Sequence, residues 1–484
     1  MRFVRRLGGA ACSLDGVTLF LIVLAGLTCA IIVVVLCAPP KIIGYDFLAF
    51  WCGGRAVLAG ANPYLNQPLH SCEIVHAPNF FYDFPNVTVP APLPPYALAL
   101  FAPLSLVPYA IARALWWAFI LACVALEARF VARLAGRSYA FGAIVCGFAM
   151  TAPIVLQGAL APLPVTLLTA GAYALRNERW RSGSAFIAAA MIEPHMALPA
   201  ALAAFLFLPK TRLPLIACAS IALSLALIAV GPHVLGSYFT SVLPVHALSE
   251  LDNLGQDSLT TILHHLGLAD GPAIHIGGLQ YAVFAIVGIV FSGRLLRREH
   301  DASWAVVVPA AFAMIGGEFV HLSEVSMAIP LAAVLAVRLG GWNWLPLMML
   351  ALPGEAAINY GTFFVPAMLV IALLLRDVHA SSRSIIAASI IVGGLSIIGH
   401  AFAIAEIGTN VRAIGDPGAT ALASVSWAAW NRLAFIGPVW WVEKIFTLFP
   451  LLVLAASTAR YAYRAPIAVR REGRMGQERS AAMT

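Results

Sequence analysis

Charge is what this chain has least of. Asp, Glu, Lys and Arg make up 11% of its 484 residues while 61% are hydrophobic, against about 25% charged in soluble domains. Mean hydropathy is +0.89. These values exclude a soluble globular protein and leave an all-α polytopic membrane chain with no polar domain of any size. The short signatures of nucleotide and metal chemistry are missing too: no Walker loop, no dinucleotide glycine fingerprint, no His-Glu-x-x-His. No cofactor is therefore implied, and a divalent metal is left open. No fixed-period repeat is visible, nor two halves interrupted in matching places, which weighs mildly against a secondary transporter. The net charge of +7 goes with topology and membrane lipids, not with nucleic acid.

Apolar runs place spans at 17–38, 109–133, 139–156, 159–176, 183–194, 195–208, 213–231, 273–293, 304–320, 322–338, 342–354, 357–375, 384–405 and 439–460, about twelve to fourteen in all. The run 17–38 reads as a retained first span, being too long for a signal-peptide core. The pairs 183–194 with 195–208 and 342–354 with 357–375 fall short of the roughly 20 residues of a full crossing and read as broken helices shielded by neighbours. With the N-terminus cytoplasmic, all but six of the 29 Lys and Arg fall on one side, the exceptions being Lys41, Arg55, Arg113, Arg412, Arg432 and Lys444. That bias places both termini in the cytoplasm. One transmembrane domain is expected over 1–460, with outer segments at 39–108, 232–272 and 406–438 and a basic, disordered tail at 461–484. Nearly all histidines and most carboxylates fall outside, so the chemistry faces the exterior. Cys52 and Cys72 share the first outer segment, where an oxidising compartment allows pairing.

That segment is the richest. It runs Gly44-Tyr45-Asp46-Phe47-Leu48-Ala49-Phe50-Trp51 and on to Gly60-Ala61-Asn62-Pro63-Tyr64. Phe47, Phe50, Trp51, Gly54 and Leu58 share one face of a short helix suited to the headgroup layer, ended by Gly60 and Pro63. Asp46 at its head reads two ways: a base taking a proton from a hydroxyl at the lipid boundary, or a helix N-cap worth ~1 kcal/mol. Gln157-Gly158 reads first as a helix-end cap and second as an amide for a ligand hydroxyl. Glu193-Pro194-His195 sits between two short helices, where a charge costs ~2.5–3.5 kcal/mol and so lines a cavity or finds a partner. Gly255-Gln256-Asp257-Ser258-Leu259 reads as a turn and helix start, with Asp257 or Ser258 as cap. In Gly316-Gly317-Glu318-Phe319-Val320-His321, with Glu324 behind, a histidine and two carboxylates emerge between spans. His321 there is either a phosphate-binding cation or a satisfied buried histidine.

The pattern Asp46-Phe47-x-x-Phe50-Trp51…Gly60-x-Asn62-Pro63-Tyr64, followed by Pro94-Pro95…Pro103-Leu104, resembles the opening of glycosyltransferase family 87, part of the GT-C superfamily of integral membrane glycosyltransferases. Leu156-Gln157-Gly158, Glu193-Pro194-His195 and Gln256-Asp257-Ser258-Leu259 echo that family's Gly-Gln-x-Asn, Lys-Pro-Gln and Asn-x-Ser-Leu elements, and His321 corresponds to the histidine near its Ser-Pro motif. Glu193 stands where the family element has lysine, and Gly316-Gly317 replace Ser-Pro. The resemblance covers about residues 15 to 340. It implies a GT-C-like bundle with an interfacial helix in the first outer segment. It also implies an inverting transfer of a sugar, mannose-like by preference, from a polyprenyl-phosphate donor to a lipid or glycan acceptor. Asp46 would be the general base. His321, His195, Arg55 and Arg412 would serve the donor phosphate, and Gln157, Tyr45, Tyr64, Glu193, Asp257 and Glu318 the sugar or acceptor. The setting implied is a bacterial inner membrane with a periplasmic site. A lipid or sugar transporter and a non-catalytic family member are the rival readings.

Overall fold

The computed structural model describes residues 44–77, 85–147, 158–253, 255–351, 414–433 and 437–463. The expected spans 17–38, 357–375 and 384–405, part of 139–156, and the candidates Gln157 and Arg412 lie outside the described residues. Within them every regular element is helical, and strand-like pairing is confined to the isolated bridges Leu65–Leu422 and Gln256–His321.

The elements are α1 (Tyr45–Leu58), α2 (Asn66–His76), α3 (Pro95–Phe101), α4 (Tyr109–Ala135), α5 (Pro162–Arg176), α6 (Trp180–Ala189), α7 (Pro194–Phe207), α8 (Arg212–Ser237), α9 (Leu243–Ser249), α10 (Leu259–His265), α11 (Asp270–Glu299), α12 (Trp304–Ala313), α13 (Leu322–Val325), α14 (Ile329–Leu339), α15 (Trp344–Ala351), α16 (Ala423–Asn431) and α17 (Pro438–Tyr463). Among the described residues, five stretches are long and apolar enough to cross a membrane: Tyr109–Ala135, Pro209–Ser249, Asp270–Glu299, Leu322–Leu339 and Trp440–Tyr463. α7, expected as a shielded broken helix, leaves Leu198, Leu202, Phe205 and Leu206 exposed, whereas every residue of the short α12, expected as part of a span at 304–320, is buried. α11 approaches α12 at a distance only glycine permits, since a Cβ on Gly288 would stand 2.8 Å from the Phe312 Cβ. The chain is an all-α polytopic membrane protein.

Two features position the site. The run Pro209–Ser249 breaks at Gly231, whose φ of 75° and ψ of 169° only glycine adopts freely, followed by Pro232 without an N–H. Beyond the break Tyr238, Phe239, Leu243 and His246 turn toward a cavity. At the arginine-rich end, Arg176 and Arg338 reach Asp301 at 3.5 and 3.6 Å, and Arg338 also pairs with Glu299. These contacts tie the ends of α5, α11 and α14, each weakly because the pairs are partly solvated.

The first outer segment is seated on protein. Gly44 enters α1 with φ 84°, and a Cβ there would stand 2.3 Å from Trp117 Cη2. Phe47 stacks on Trp116 at a 5.3 Å centroid distance, Trp51 Nε1–H donates to the Leu104 carbonyl at 3.1 Å, and a disulfide joins Cys52 in α1 to Cys72 in α2. Phe47, Phe50 and Trp51, expected as headgroup anchors, are buried against neighbouring helices, each burial worth about 1.5–3 kcal/mol. The partners are Trp116 and Tyr109, far along the chain and on a different helix, which is why the sequence showed an apolar face but not what covers it. The late segment closes over the early one. Asn66 N–H donates to Ala421 O at 2.7 Å, Asn86 Nδ2 to Ile414 O at 2.7 Å, and Thr88 N–H to Ser426 Oγ at 3.0 Å.

Candidate active site

The first turn of α1, the start of α7, the bend leading into α9 and the segment before α13 meet around a cavity of about 610 Å³. Each brings its polar group for a local reason. Asp46 is the second residue of α1. The cap position belongs to Gly44, whose left-handed turn starts the helix, and no side chain caps it, so the N-cap reading of Asp46 is corrected. Its carboxylate makes no hydrogen bond or ion pair with the described residues, yet it lines the cavity. Burial pushes its pKa up from 3.8 to about 7; His321 pulls it down, and Glu250 and Glu324 add to the rise.

Glu193 lies just before Pro194, the first residue of α7, and its backbone (φ −120°, ψ 88°) stays out of the helical region that a following proline disfavours. His195, one residue into that helix, places Nε2 2.9 Å from Glu324 Oε2 and 3.7 Å from Glu193 Oε2. His321 and Glu324 form a capping box at the head of α13, with Glu324 Oε2 accepting from the His321 N–H at 3.1 Å and Oε1 lying 3.3 Å from Nδ1.

The other edge of His321 meets Glu250 Oε2 at 3.4 Å and Gln256 Nε2 at 2.9 Å. Gln256 is fixed by the Val320 N–H, which donates to its Oε1 at 2.6 Å, so an amide N–H opposes the imidazole there. Two flanking carboxylates outweigh that one dipole and also the larger cost of burial, so the His321 pKa is raised well above its usual 6.5. Burial disfavours the Glu250 carboxylate as well, but hydrogen bonds from His321 and Gln256 and the nearby His246 hold it at about 2, ionised. Trp427 Nε1–H donates to Glu250 Oε1 at 2.8 Å.

Of the residues singled out by sequence, Asp46, Tyr45, Glu193, His195, Glu318 and His321 line this cavity, Glu318 at an exposed position. Three others lie elsewhere. Tyr64 is buried and donates its hydroxyl to the Leu93 carbonyl at 2.8 Å. Asp257 pairs with Lys444 at 3.0 Å, both buried, while Ser258 caps α10 through the Thr261 N–H. Arg55 is exposed, its guanidinium over the Trp51 ring at 5.2 Å. Sequence reasoning passed over Glu250, His246 and Trp427. Glu250 carried a usable signal, a lone carboxylate closing a long apolar run, the same signal that marked Glu193. No Lys or Arg occurs among the described lining residues. The polar wall grades into an apolar one of Val89, Leu93, Leu160, Phe239 and Leu243, so the cavity can hold a molecule with a charged head and a greasy tail.

The model of glycosyltransferase family 87 matches residues 93–316. A relative from Mycolicibacterium smegmatis (strain ATCC 700084 / mc(2)155), a polyprenol-phosphate-mannose-dependent alpha-(1-2)-phosphatidylinositol pentamannoside mannosyltransferase, is 26% identical over 348 residues, covering 65% of this chain and 81% of the relative. No solved structure matches.

Proposed function

We propose that this chain is a membrane glycosyltransferase of family 87 that passes a hexose from a polyprenyl-phosphate donor to a lipid or glycan hydroxyl, with Asp46 as general base. The observation that carries the reading is Asp46 itself, a carboxylate on the cavity wall with no partner among the described residues and a pKa near 7. A base poised near neutrality is half ionised and keeps enough basicity to take a hydroxyl proton.

Asp46 accepts the proton as the acceptor oxygen forms its bond to the anomeric carbon. The bond from that carbon to the phosphate oxygen breaks on the opposite face, its electrons leave with the phosphate, and configuration inverts. The phosphate lodges against the His195–His321 wall, where imidazole N–H groups meet its oxygens. The apolar wall takes the first isoprene units. Tyr45 and Glu318 border the sugar or acceptor.

The reaction is placed on the outer side of a bacterial inner membrane, with both termini cytoplasmic. The arrangement of α4 supports this. Tyr109, beside Phe47, and Arg133 are separated by about 36 Å of helix at 1.5 Å per residue, so the cavity and the arginines sit at opposite ends.

The test incubates purified protein with a panel of polyprenyl-phosphate sugars and reads lipid extracts by mass spectrometry. Donor consumption with a new glycosylated product is expected. Movement of the lipid across proteoliposomes with no covalent product would overturn the enzymatic reading in favour of transport.

A further inference from the structure

The wall built by the start of α7 and by α13 brings Glu193, His195 and Glu324 together, with one donor atom of each within 4.8 Å of the other two. His195 Nε2 is 2.9 Å from Glu324 Oε2 and 3.7 Å from Glu193 Oε2. Ligands bound about 2.1 Å from one ion stand about 3.0–3.5 Å apart, so small side-chain rotations close the three onto a metal.

Two independent observations point to a cation at this place. Glu193 is only 9% exposed and lines the cavity, yet its carboxylate accepts no hydrogen bond from the described residues and has His195, at 3.7 Å, as its ion-pair partner. Five carboxylates, Asp46, Glu193, Glu250, Glu318 and Glu324, line the cavity together with no Lys or Arg among the described lining residues. That charge opposes the phosphate that the proposed donor carries and leaves only His195 and His321 to offset it. A divalent ion answers both: it supplies the second partner Glu193 lacks, and its remaining coordination positions would take phosphate oxygens.

We infer that Glu193, His195 and Glu324 form a divalent-cation site. Its role toward donor phosphate rests on the glycosyltransferase reading, while the binding of metal does not. Two carboxylates and one imidazole make a mixed hard and borderline set that accepts Mn2+, which serves as the probe.

Full-length protein in lipid nanodiscs, stripped by chelator, is titrated with Mn2+ alone while the electron paramagnetic resonance signal of free Mn2+ is followed. One saturable site per chain is expected. Glu193→Gln and His195→Gln each weaken it at least tenfold, and Glu318→Gln, a carboxylate of the same cavity outside the triad, changes it less than twofold. Size-exclusion profiles establish that each variant is folded, and either triad variant suffices to read the site. Absence of saturable binding in the wild type, unchanged affinity in a folded triad variant, or an equal loss in Glu318→Gln overturns the site. Binding is read with no donor present and transfer separately with the donor panel, so Mn2+ binding by a protein that transfers no sugar from any donor would overturn the glycosyltransferase reading alone, and full transfer by a protein that binds no Mn2+ would overturn the metal site alone.

Discussion

Asp46→Asn is the perturbation that separates a working base from a residue that only occupies space. Asparagine keeps the volume and removes the proton acceptor, and losing a general base lowers a rate by about 10²–10⁴-fold. The raised pKa sets the pH dependence. Only the ionised form takes a proton, so with a pKa of about 7 roughly a tenth of the enzyme is active at pH 6 and roughly nine tenths at pH 8. The rate should therefore rise about tenfold across that interval, lost on the acid side. His321, Glu193, Glu250 and Glu324 all face this carboxylate electrostatically, and each stays in place in the variant. Stability runs the other way. A carboxyl whose folded pKa exceeds its unfolded value of 3.8 has its full stability below pH 4 and loses it as pH climbs toward 7. The loss is on the order of 4 kcal/mol before water in the cavity screens part of it. Asp46→Asn should thus melt higher than wild type at pH 8 while transferring almost no sugar. Initial rates from pH 6 to 8 and melting curves at pH 5 and 8 provide the check. A flat pH profile, or a variant keeping more than a tenth of the wild-type rate, would refute the reasoning.

Three further outcomes follow from the fold. Gly44→Ala should tilt the first turn of α1, because the added Cβ meets Trp117 at 2.3 Å and the φ of 84° disfavours a side chain; a loss of about 1–3 kcal/mol in unfolding experiments and at least a tenfold drop in transfer are expected. Opening the Cys52–Cys72 disulfide, which closes a loop with a sequence separation of 20, should cost about 3 kcal/mol, visible as a lower melting temperature of Cys52→Ser or of reduced protein. Lys444→Met leaves Asp257 buried without its 3.0 Å partner and should cost about 3–5 kcal/mol. Adding Asp257→Asn should return part of that stability, and a double-mutant cycle that sums additively would show the pair uncoupled.

What the sequence disclosed was whatever depends on neighbours along the chain. Apolar runs marked the crossing helices, and the shortness of the run 195–208 marked α7 as a broken one. Gly60 marked the end of α1, which closes at Leu58. Asp46, Glu193 and His321 stood out as charges at the ends of greasy stretches. Their convergence was hidden, because His195 and Glu324 meet across a separation of 129 residues and no local pattern records such a meeting. Asp257 and Glu250 show the limit from both sides. Both are carboxylates on one outer stretch, and only the three-dimensional path decides that Asp257 turns to Lys444 in α17 while Glu250 turns to the cavity. Arg55 likewise sits within three turns of Asp46 on the same helix, yet the helix axis carries it away to the Trp51 face.

The closing of residues 414–433 over Tyr64, Asn66, Asn86 and Thr88 has a consequence for biosynthesis. Every polar side chain that lines the cavity and is proposed to act on substrate precedes residue 325, yet Trp427, which lines the same cavity and donates to Glu250, comes from a segment translated about a hundred residues later. A ribosome-bound chain long enough to contain the whole proposed chemistry therefore still lacks a finished reaction chamber.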